Sequence, residues 1–210
     1  MSVVTDWVAW HDAYADPASA LSRRLRVVQD QIRRALPVQP PRRVDVVSLC
    51  AGCGHDLIGV LSEYPHADRV RARLVELDPS NVAVGRARCR AAGLDVEIVR
   101  ADAADLSQYR GAVPADLVLL CGVLGNISDR DVRFTIASLP QLCRTGGTVI
   151  WTRSRRTPDL TPKVRRWFAE ASFDEIEFVA PSDAMFSVGA CRFVGRDAPL
   201  GSARLFTFTR

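Results

Sequence analysis

The sequence has few of the residues that phosphate-loop, metal or membrane chemistry requires. It contains one lysine, Lys163, and no Gly-Lys-Ser/Thr turn, which excludes a P-loop nucleotide site. No apolar run reaches membrane-spanning length. With three histidines and a single Cys-x-x-C pair, Cys50 and Cys53, the sequence lacks the ligands of a tetrahedral zinc site, so we expect no metal. The six cysteines are expected to be small buried side chains and not a disulfide framework.

The overall composition indicates a globular chain without a targeting segment. Hydrophobic residues make up 48% of the 210 residues and the net charge is +4. One domain of this length can bury a full-sized core. The first residues carry charges early and lack a basic n-region, so they do not resemble a signal peptide. We therefore expect a cytoplasmic protein without a membrane span; the sequence carries no signal for an oligomeric state.

Arginines are concentrated near the N-terminus. They are Arg23, Arg24, Arg26, Arg33, Arg34, Arg42 and Arg43. The apolar residues between them recur at helical spacing, at Leu21, Leu25, Val28, Ile32 and Leu36. This pattern predicts an amphipathic helix with a solvated charged face. A surface that docks RNA or DNA remains the alternative.

From residue 44 onward, strand and helix patterns alternate as in a parallel sheet. Strands are predicted near 44–50, 70–76, 95–99, 116–121 and 146–152. Helices are predicted near 56–64, 79–92, 103–109, 128–142 and 161–172. Two further β-runs, FDEIEFV and ARLFTFT, follow residue 172, and the segment between them contains a possible short strand, SVGACRFVG.

The most informative stretch is VDVVSLCAGCGHDLIGV, residues 44–60. An apolar run leads into Gly52 and Gly54, and helical spacing follows, which indicates a strand, a tight turn and a helix start beside a nucleotide-like ligand. An acid, Glu76, closes the next strand, where a carboxylate can accept from both ribose hydroxyls. A dinucleotide site would need glycine at position 57, which is Leu57 here.

These motifs and those that follow resemble the class I S-adenosylmethionine-dependent methyltransferases. LVELDPSNVAVGRAR (74–88) is similar to their second motif and VEIVRADAADL (96–106) to their third. ADLVLLCGVLGNI (115–127) is similar to their fourth, and LCRTGGTVIW (142–151) to the turn before their fifth strand. The motifs occur in the family's order and spacing over about residues 44–152.

The resemblance implies an α/β fold with a seven-stranded, mostly parallel, doubly wound sheet whose last strand is antiparallel. We expect that last strand at ARLFTFT. Residues 1–43 would form an N-terminal helical lid that selects the substrate, and residues 44–210 would form the S-adenosylmethionine-binding domain.

The resemblance also implies a set of cofactor-binding residues. They are Tyr14, Ala51, Gly52, Cys53, Gly54, Asp56, Glu76, Leu77, Asp102, Ala103, Cys121 and Gly122. In the family, the acid at Glu76 binds the ribose, the acid at Asp102 accepts from the adenine amino group, and the N–H of Ala103 meets the ring. Asp102 and Asp105 could instead cap a helix.

Two positions in the glycine turn depart from the family pattern. Cys50 stands where these enzymes usually carry an acid that helps to hold the methionine amino group, and Asp56 stands where they carry a third glycine. Asp56 could replace the missing acid.

The candidate catalytic residues are His11 and Asn126, with His55 as another possible base. Asn126 follows strand four and could orient a substrate, or it could be a turn residue beside Gly125. Three aromatic residues, Trp7, Trp10 and Tyr14, could form a lid over the cofactor or pack in the core.

The predicted function is methyl transfer from S-adenosylmethionine to a small-molecule acceptor by in-line displacement. Nucleic acid is not an expected partner. Three alternatives remain open: an RNA or protein methyltransferase using the arginine-rich helix, a non-catalytic cofactor-binding protein, and an aminopropyl-transfer enzyme.

Overall fold

The alternating patterns fold into a central sheet with helices on both faces. The computed structural model describes residues 16–209. The strands are β1 (Val44–Leu49), β2 (Val70–Glu76), β3 (Val96–Arg100), β4 (Ala115–Leu120), β5 (Cys143–Ser154), β6 (Phe173–Val179) and β7 (Phe186–Phe193). The helices are α1 (Ala20–Ala35), α2 (Leu57–Leu61), α3 (Pro79–Ala91), α4 (Asp129–Ser138) and α5 (Thr161–Glu170). None of the helices within residues 16–209 is long and apolar enough to cross a membrane.

The strand order in the sheet is β3-β2-β1-β4-β5-β7-β6. Strands β1 to β5 are parallel, and β7 lies antiparallel between β5 and β6. The chain order reverses between β1 and β4, and ligands of doubly wound sheets bind at the carboxyl ends of the strands beside such a reversal. The predicted sheet of seven mostly parallel strands with one antiparallel strand is confirmed.

The prediction that ARLFTFT forms the antiparallel strand is wrong. That strand is β7, formed by the stretch noted only as a possible short strand, whereas ARLFTFT makes two isolated bridges, Asp105 to Arg204 and Ile127 to Phe208. The glycine in β7 weakened its strand signal. Gly189 pairs with Trp151 of β5, and a Cβ at Gly189 would lie 2.3 Å from the Trp151 ring. The indole therefore occupies the space that a strand side chain would fill.

Capping side chains set the starts of several helices. Asp78 accepts the N–H groups of Ser80 and Asn81 at the start of α3, and Ser128 accepts from the N–H of Asp131 at the start of α4. The helix predicted at 103–109 is wrong in extent. It is a 3₁₀ turn, Leu106–Tyr109, capped by Asp105.

The core occupies both faces of the sheet. On one face, α4 and α5 cover an aromatic cluster in which Trp151 stacks on Phe168 with ring centroids 5.5 Å apart. On the other face, α1 and α2 pack over β1, β5 and β7. Val28 and Ile32 of α1 are buried there, which confirms the predicted apolar stripe. Helix α1 is therefore part of the core.

An ion network joins the amino-terminal ends of the central strands. Asp116 at the start of β4 accepts from the guanidinium of Arg42 and from the N–H of Asp45, and Arg144 lies 3.1 Å from it. Arg144 and Arg71 also contact the Asp45 carboxylate at 3.1 and 2.8 Å. Burial raises the pKa of Asp116, but the hydrogen bonds from Arg42 and Asp45 and the charge of Arg144 outweigh it and hold the pKa below its ordinary value.

We expect Asp116→Asn to lower the free energy of unfolding by about 1–2 kcal/mol at pH 7, because it removes a partly buried charge-assisted network. Since the pKa is depressed in the folded protein, this stabilisation is present above the unfolded-state value of about 3.9 and is lost as the pH falls through the folded-state value. Urea unfolding at pH 7 and below about pH 3 measures the difference.

The matched control is Asp183→Asn, which removes the partner of Arg23 from an exposed ion pair on α1. Exposed pairs contribute little, so this variant should unfold like the wild type. A pH-independent loss at Asp116, or equal losses in both variants, would contradict the role assigned to the network.

Candidate functional site

The turn after β1 has an unusual backbone. Cys50, Gly52 and Gly54 have φ angles of 53°, 55° and 69°, a region that favours glycine. The Ala51 N–H donates to the Val75 carbonyl at 3.1 Å and joins the turn to β2. Packing also disfavours a larger residue at position 54, since a Cβ there would lie 2.4 Å from the end of the Ile58 side chain. A positive φ thus favours glycine at positions 52 and 54, and packing adds a second constraint at Gly54.

Glu76 lies at the carboxyl end of β2 beside this turn. It is 8% exposed; Oε2 accepts from the Gly52 N–H and Oε1 from the Asp78 N–H, both at 2.8 Å. A carboxylate offers about four acceptor positions, so capacity for two hydroxyl donors remains. The next residue, Leu77, is 63% exposed, which leaves a large apolar side chain open beside the acid.

The loop after β3 carries Asp102 and Ala103. Asp102 Oδ1 accepts from the Ala104 N–H at 3.0 Å, and Oδ2 lies 2.7 Å from Nη1 of Arg204. The hydroxyl of buried Tyr109 donates to the Ala103 carbonyl at 2.8 Å and holds the loop against the core. The capping alternative holds in part, because Asp102 bonds its own loop. It does not use up the carboxylate, which keeps acceptor capacity for a ligand.

The loop after β4 is closed by its own residues. Gly122 has a φ of 80° and donates its N–H to Thr152 Oγ1 at 2.8 Å. The side-chain amide of Asn126 donates to the Gly122 carbonyl at 2.7 Å. Asn126 therefore acts as a turn residue here. That Asn126 orients a substrate remains a prediction, and the contact would be made by its side-chain oxygen.

Asp56 is the buried acid at the opposite end of the site. It caps α2 through the Leu57 N–H at 2.7 Å. Burial raises its pKa, opposed by the Leu57 and Asp56 N–H groups and by the positive charge of Arg24 on α1. Burial also raises the pKa of Cys121, and the nearby Asp56 charge adds to that shift. The Asp56 charge thus acts on Cys121 at the end of β4 and faces the charge of Arg24 on α1, and its predicted contact with the methionine amino group stays a prediction.

The two cysteines at the strand ends are neutral thiols. Burial raises the pKa of Cys50 well above its ordinary value, and the charges of Glu76 and Asp102 add to the shift. Burial likewise raises the pKa of Cys121. Cys53 is buried and its thiol lies 3.3 Å from the Asn81 Oδ1. Within residues 16–209, no group of three or more His, Cys, Asp or Glu side chains is placed to hold a metal ion.

His55 connects the glycine turn to two helices, and its role as a possible base stays a prediction. Its ring Nδ1 lies 3.0 Å from Nη1 of Arg88, and its carbonyl accepts from the Gln29 side chain at 2.9 Å. These contacts join the glycine turn to α3 and α1. His11 and Tyr14, together with Trp7 and Trp10, lie outside the described residues, so their predicted roles stay predictions.

Sequence reasoning missed Arg153, at the carboxyl end of β5. Its side chain is 13% exposed, and its guanidinium donates to the Leu124 carbonyl and lies 3.9 Å from Asp129. Burial lowers its pKa, opposed by the charges of Asp129 and Asp159. A charge that closes an apolar strand is the signal that identified Glu76, and it applies equally to Arg153. This cation braces the loop after β4.

Comparisons with known proteins agree with this arrangement. Residues 46–147 match a family model described as a methyltransferase domain. A comparison with curated protein sequences gave no match.

Solved structures share the fold. Magnesium protoporphyrin IX methyltransferase from Synechocystis PCC 6803, solved with S-adenosylhomocysteine, aligns with a TM-score of 0.68 and 12% identity, covering 90% of this chain and 94% of that one. An rRNA methylase from Streptococcus thermophilus aligns at 0.61 and 11%, covering 80% and 95%. An O-methyltransferase family protein from Burkholderia thailandensis aligns at 0.62 and 20%, covering 81% of this chain. This chain spans 57% of that protein's length.

Two substitutions and two ligands test the site. Asn at position 56 can still cap α2, so Asp56→Asn should weaken S-adenosylhomocysteine about tenfold or more through loss of a charged partner for the amino group. The same substitution should leave the affinity for methylthioadenosine, which lacks the amino acid, nearly unchanged.

Glu76→Ala should weaken the binding of both ligands about 30- to 150-fold, because both carry the ribose. Calorimetry measures all four affinities.

Thermal melting should first establish that both variants are folded. Equal loss of the two ligands in Asp56→Asn would place that acid away from the amino group. Unchanged affinity in folded Glu76→Ala would show that the ribose site lies elsewhere.

Proposed function

The chain belongs to the class I S-adenosylmethionine-dependent methyltransferases, and we propose that it transfers the methyl group to a small-molecule acceptor. The observation that carries the choice of acceptor is that four of the five arginines of α1, all except the exposed Arg26, are close to acids of the protein. The site residues support binding of the cofactor. Methyl transfer does not require a dedicated base, and this supports catalysis by the residues present.

The residues present fit the cofactor. Buried Glu76 retains acceptor capacity for a ribose diol, and exposed Leu77 offers an apolar surface to the adenine. Asp102 can accept from the adenine amino group, and Asp56 can receive the methionine ammonium. When bound, S-adenosylmethionine supplies a methyl group on a sulfonium, activated for displacement. The glycine turn and the Gly122 loop would bring main-chain groups close to it.

The chain's own contribution to the transfer is alignment and protection. Well-aligned reactants gain effective molarities of about 10⁵ M or more, so the site can function without a dedicated base. Cys50 and Cys121 border the site, and burial raises the pKa of both thiols. Because the thiolate is the nucleophilic form, these cysteines would not compete for the methyl group. Asn126 is proposed to orient the acceptor, and His11 to accept a proton where the acceptor requires it.

The ion pairs of α1 support a small acceptor over a nucleic acid. Arg23 contacts Asp183 at 2.8 Å, and Arg33 contacts Glu63 at 3.1 Å. Arg34 contacts Glu177, and the charge of Arg24 acts on buried Asp56. Four arginines of α1 are therefore close to acids of the protein, namely Asp183, Glu63, Glu177 and Asp56. A surface that binds phosphates by releasing counterions needs cations that are not already neutralised. Methyl transfer to RNA, methyl transfer to protein and cofactor binding without catalysis each predict a different result when the transferred methyl group is labelled.

Transfer of a tritium-labelled methyl group should identify the acceptor class. The protein is incubated with labelled S-adenosylmethionine and an extract of the source cells, and the extract is then separated into small molecules, RNA and protein. We expect label in the small-molecule fraction with the wild type and none with Glu76→Ala. Label in RNA or protein would replace the small-molecule proposal by that alternative, and label in no fraction despite cofactor binding would favour a non-catalytic protein.

We further propose that residues before the Ser19 cap of α1 form the lid of the site. Deleting residues 1–15 leaves the Asp16–Ser19 turn and the buried face of α1 intact. Methyl transfer should therefore fall at least about tenfold while the melting temperature stays near that of the wild type, because a lid excludes water and aligns the acceptor. If Trp7, Trp10 and Tyr14 are core residues, each costs about 3–5 kcal/mol and the melting transition collapses.

A further inference from the structure

The segment predicted as the last strand instead crosses two loops of the candidate site. We name residues 204–209 the C-terminal strap. The Leu205 N–H donates to the Ala104 carbonyl at 2.8 Å, and the buried Thr135 hydroxyl donates to the Leu205 carbonyl at 3.0 Å. Further on, the Thr209 N–H donates to the Asn126 carbonyl at 2.9 Å. The strap thus connects the loop after β3 to the loop after β4.

Buried side chains hold the strap in place. Leu205 and Phe206 are 1% and 3% exposed and belong to the same core cluster as Ala103 and Ala104. Burying a large apolar side chain contributes about 1.5–3 kcal/mol. The backbone at position 204 therefore has a fixed place beside the loop that carries Asp102.

Arg204 uses this position to contact the Asp102 carboxylate. Its Nη1 lies 2.7 Å from Oδ2, while Oδ1 accepts from the Ala104 N–H. The two side chains are 55% and 40% exposed, and pairs this open contribute little to stability. The pair does restrain the direction of the carboxylate, which is held at both oxygens and still has acceptor capacity.

We propose that Arg204 is a positioning residue for cofactor recognition: it orients Asp102 to accept from the 6-amino group of the adenine. This inference rests on the proposed function, since it needs an adenosyl cofactor at this site. If Arg204 instead blocked the carboxylate and had to leave before the cofactor binds, removing it would strengthen cofactor binding.

The test compares two ligands by calorimetry: S-adenosylhomocysteine and its analogue with hydrogen in place of the 6-amino group. Arg204→Gln should weaken S-adenosylhomocysteine about three- to tenfold, because an oriented acceptor is lost. The analogue should change less than about twofold, since it makes no bond to Asp102. Arg204→Lys should recover part of the loss. Arg196→Gln, which changes an exposed arginine between β7 and the strap, is the matched control and should bind like the wild type.

A double-mutant cycle with Asp102→Asn separates positioning from general structure. If Arg204 acts through Asp102, adding Arg204→Gln to Asp102→Asn causes no further loss of affinity. Equal weakening of both ligands, additive losses in the cycle, or tighter binding by Arg204→Gln would overturn the proposal while the cofactor assignment stands. A wild-type protein that binds neither ligand would overturn the proposed function itself, and this inference with it.

Discussion

The hydrogen bond from the Gly52 N–H to the Glu76 carboxylate is the contact on which the candidate site depends. It joins the carboxyl ends of two neighbouring parallel strands, and it requires the left-handed backbone of the glycine turn. The same carboxylate accepts from Asp78, which caps the next helix. One buried acid therefore organises the turn, the following helix and the predicted ribose contact, and the site is arranged before a ligand arrives.

Arginine has a structural role in several parts of this molecule. Arg144 and Arg42 brace Asp116 at the amino-terminal edge of the sheet, Arg153 braces the loop after β4, and Arg204 restrains Asp102. In each case a guanidinium meets an acid or a carbonyl of a loop or strand end. The planar group can contact two partners at once, which suits such junctions. The abundance of arginine therefore does not by itself indicate a nucleic-acid surface.

The sequence predicted the parts of the fold and site that depend on local patterns. Glu76 was identifiable because a charge ended an apolar strand beside a glycine turn, and the five parallel strands followed from alternating periods. The antiparallel strand was misassigned because Gly189 is required by Trp151, a contact between residues 38 positions apart in sequence. Arg204 and Asp102 are 102 positions apart in sequence, so no local pattern links them. Asn126 was identified as a residue of the loop after β4, but its bond to Gly122 depends on the folded loop.

The C-terminal strap has a consequence for how the protein acquires its site during synthesis. All seven strands precede residues 204–209 in the chain, so a ribosome delivers the whole sheet before it delivers the strap. The glycine turn and Glu76 can then be in place on the nascent chain while the Asp102 loop still lacks the contacts from Arg204 and Leu205. The residues of the predicted ribose contact are thus synthesised before the strap residues that hold the loop of the predicted adenine contact.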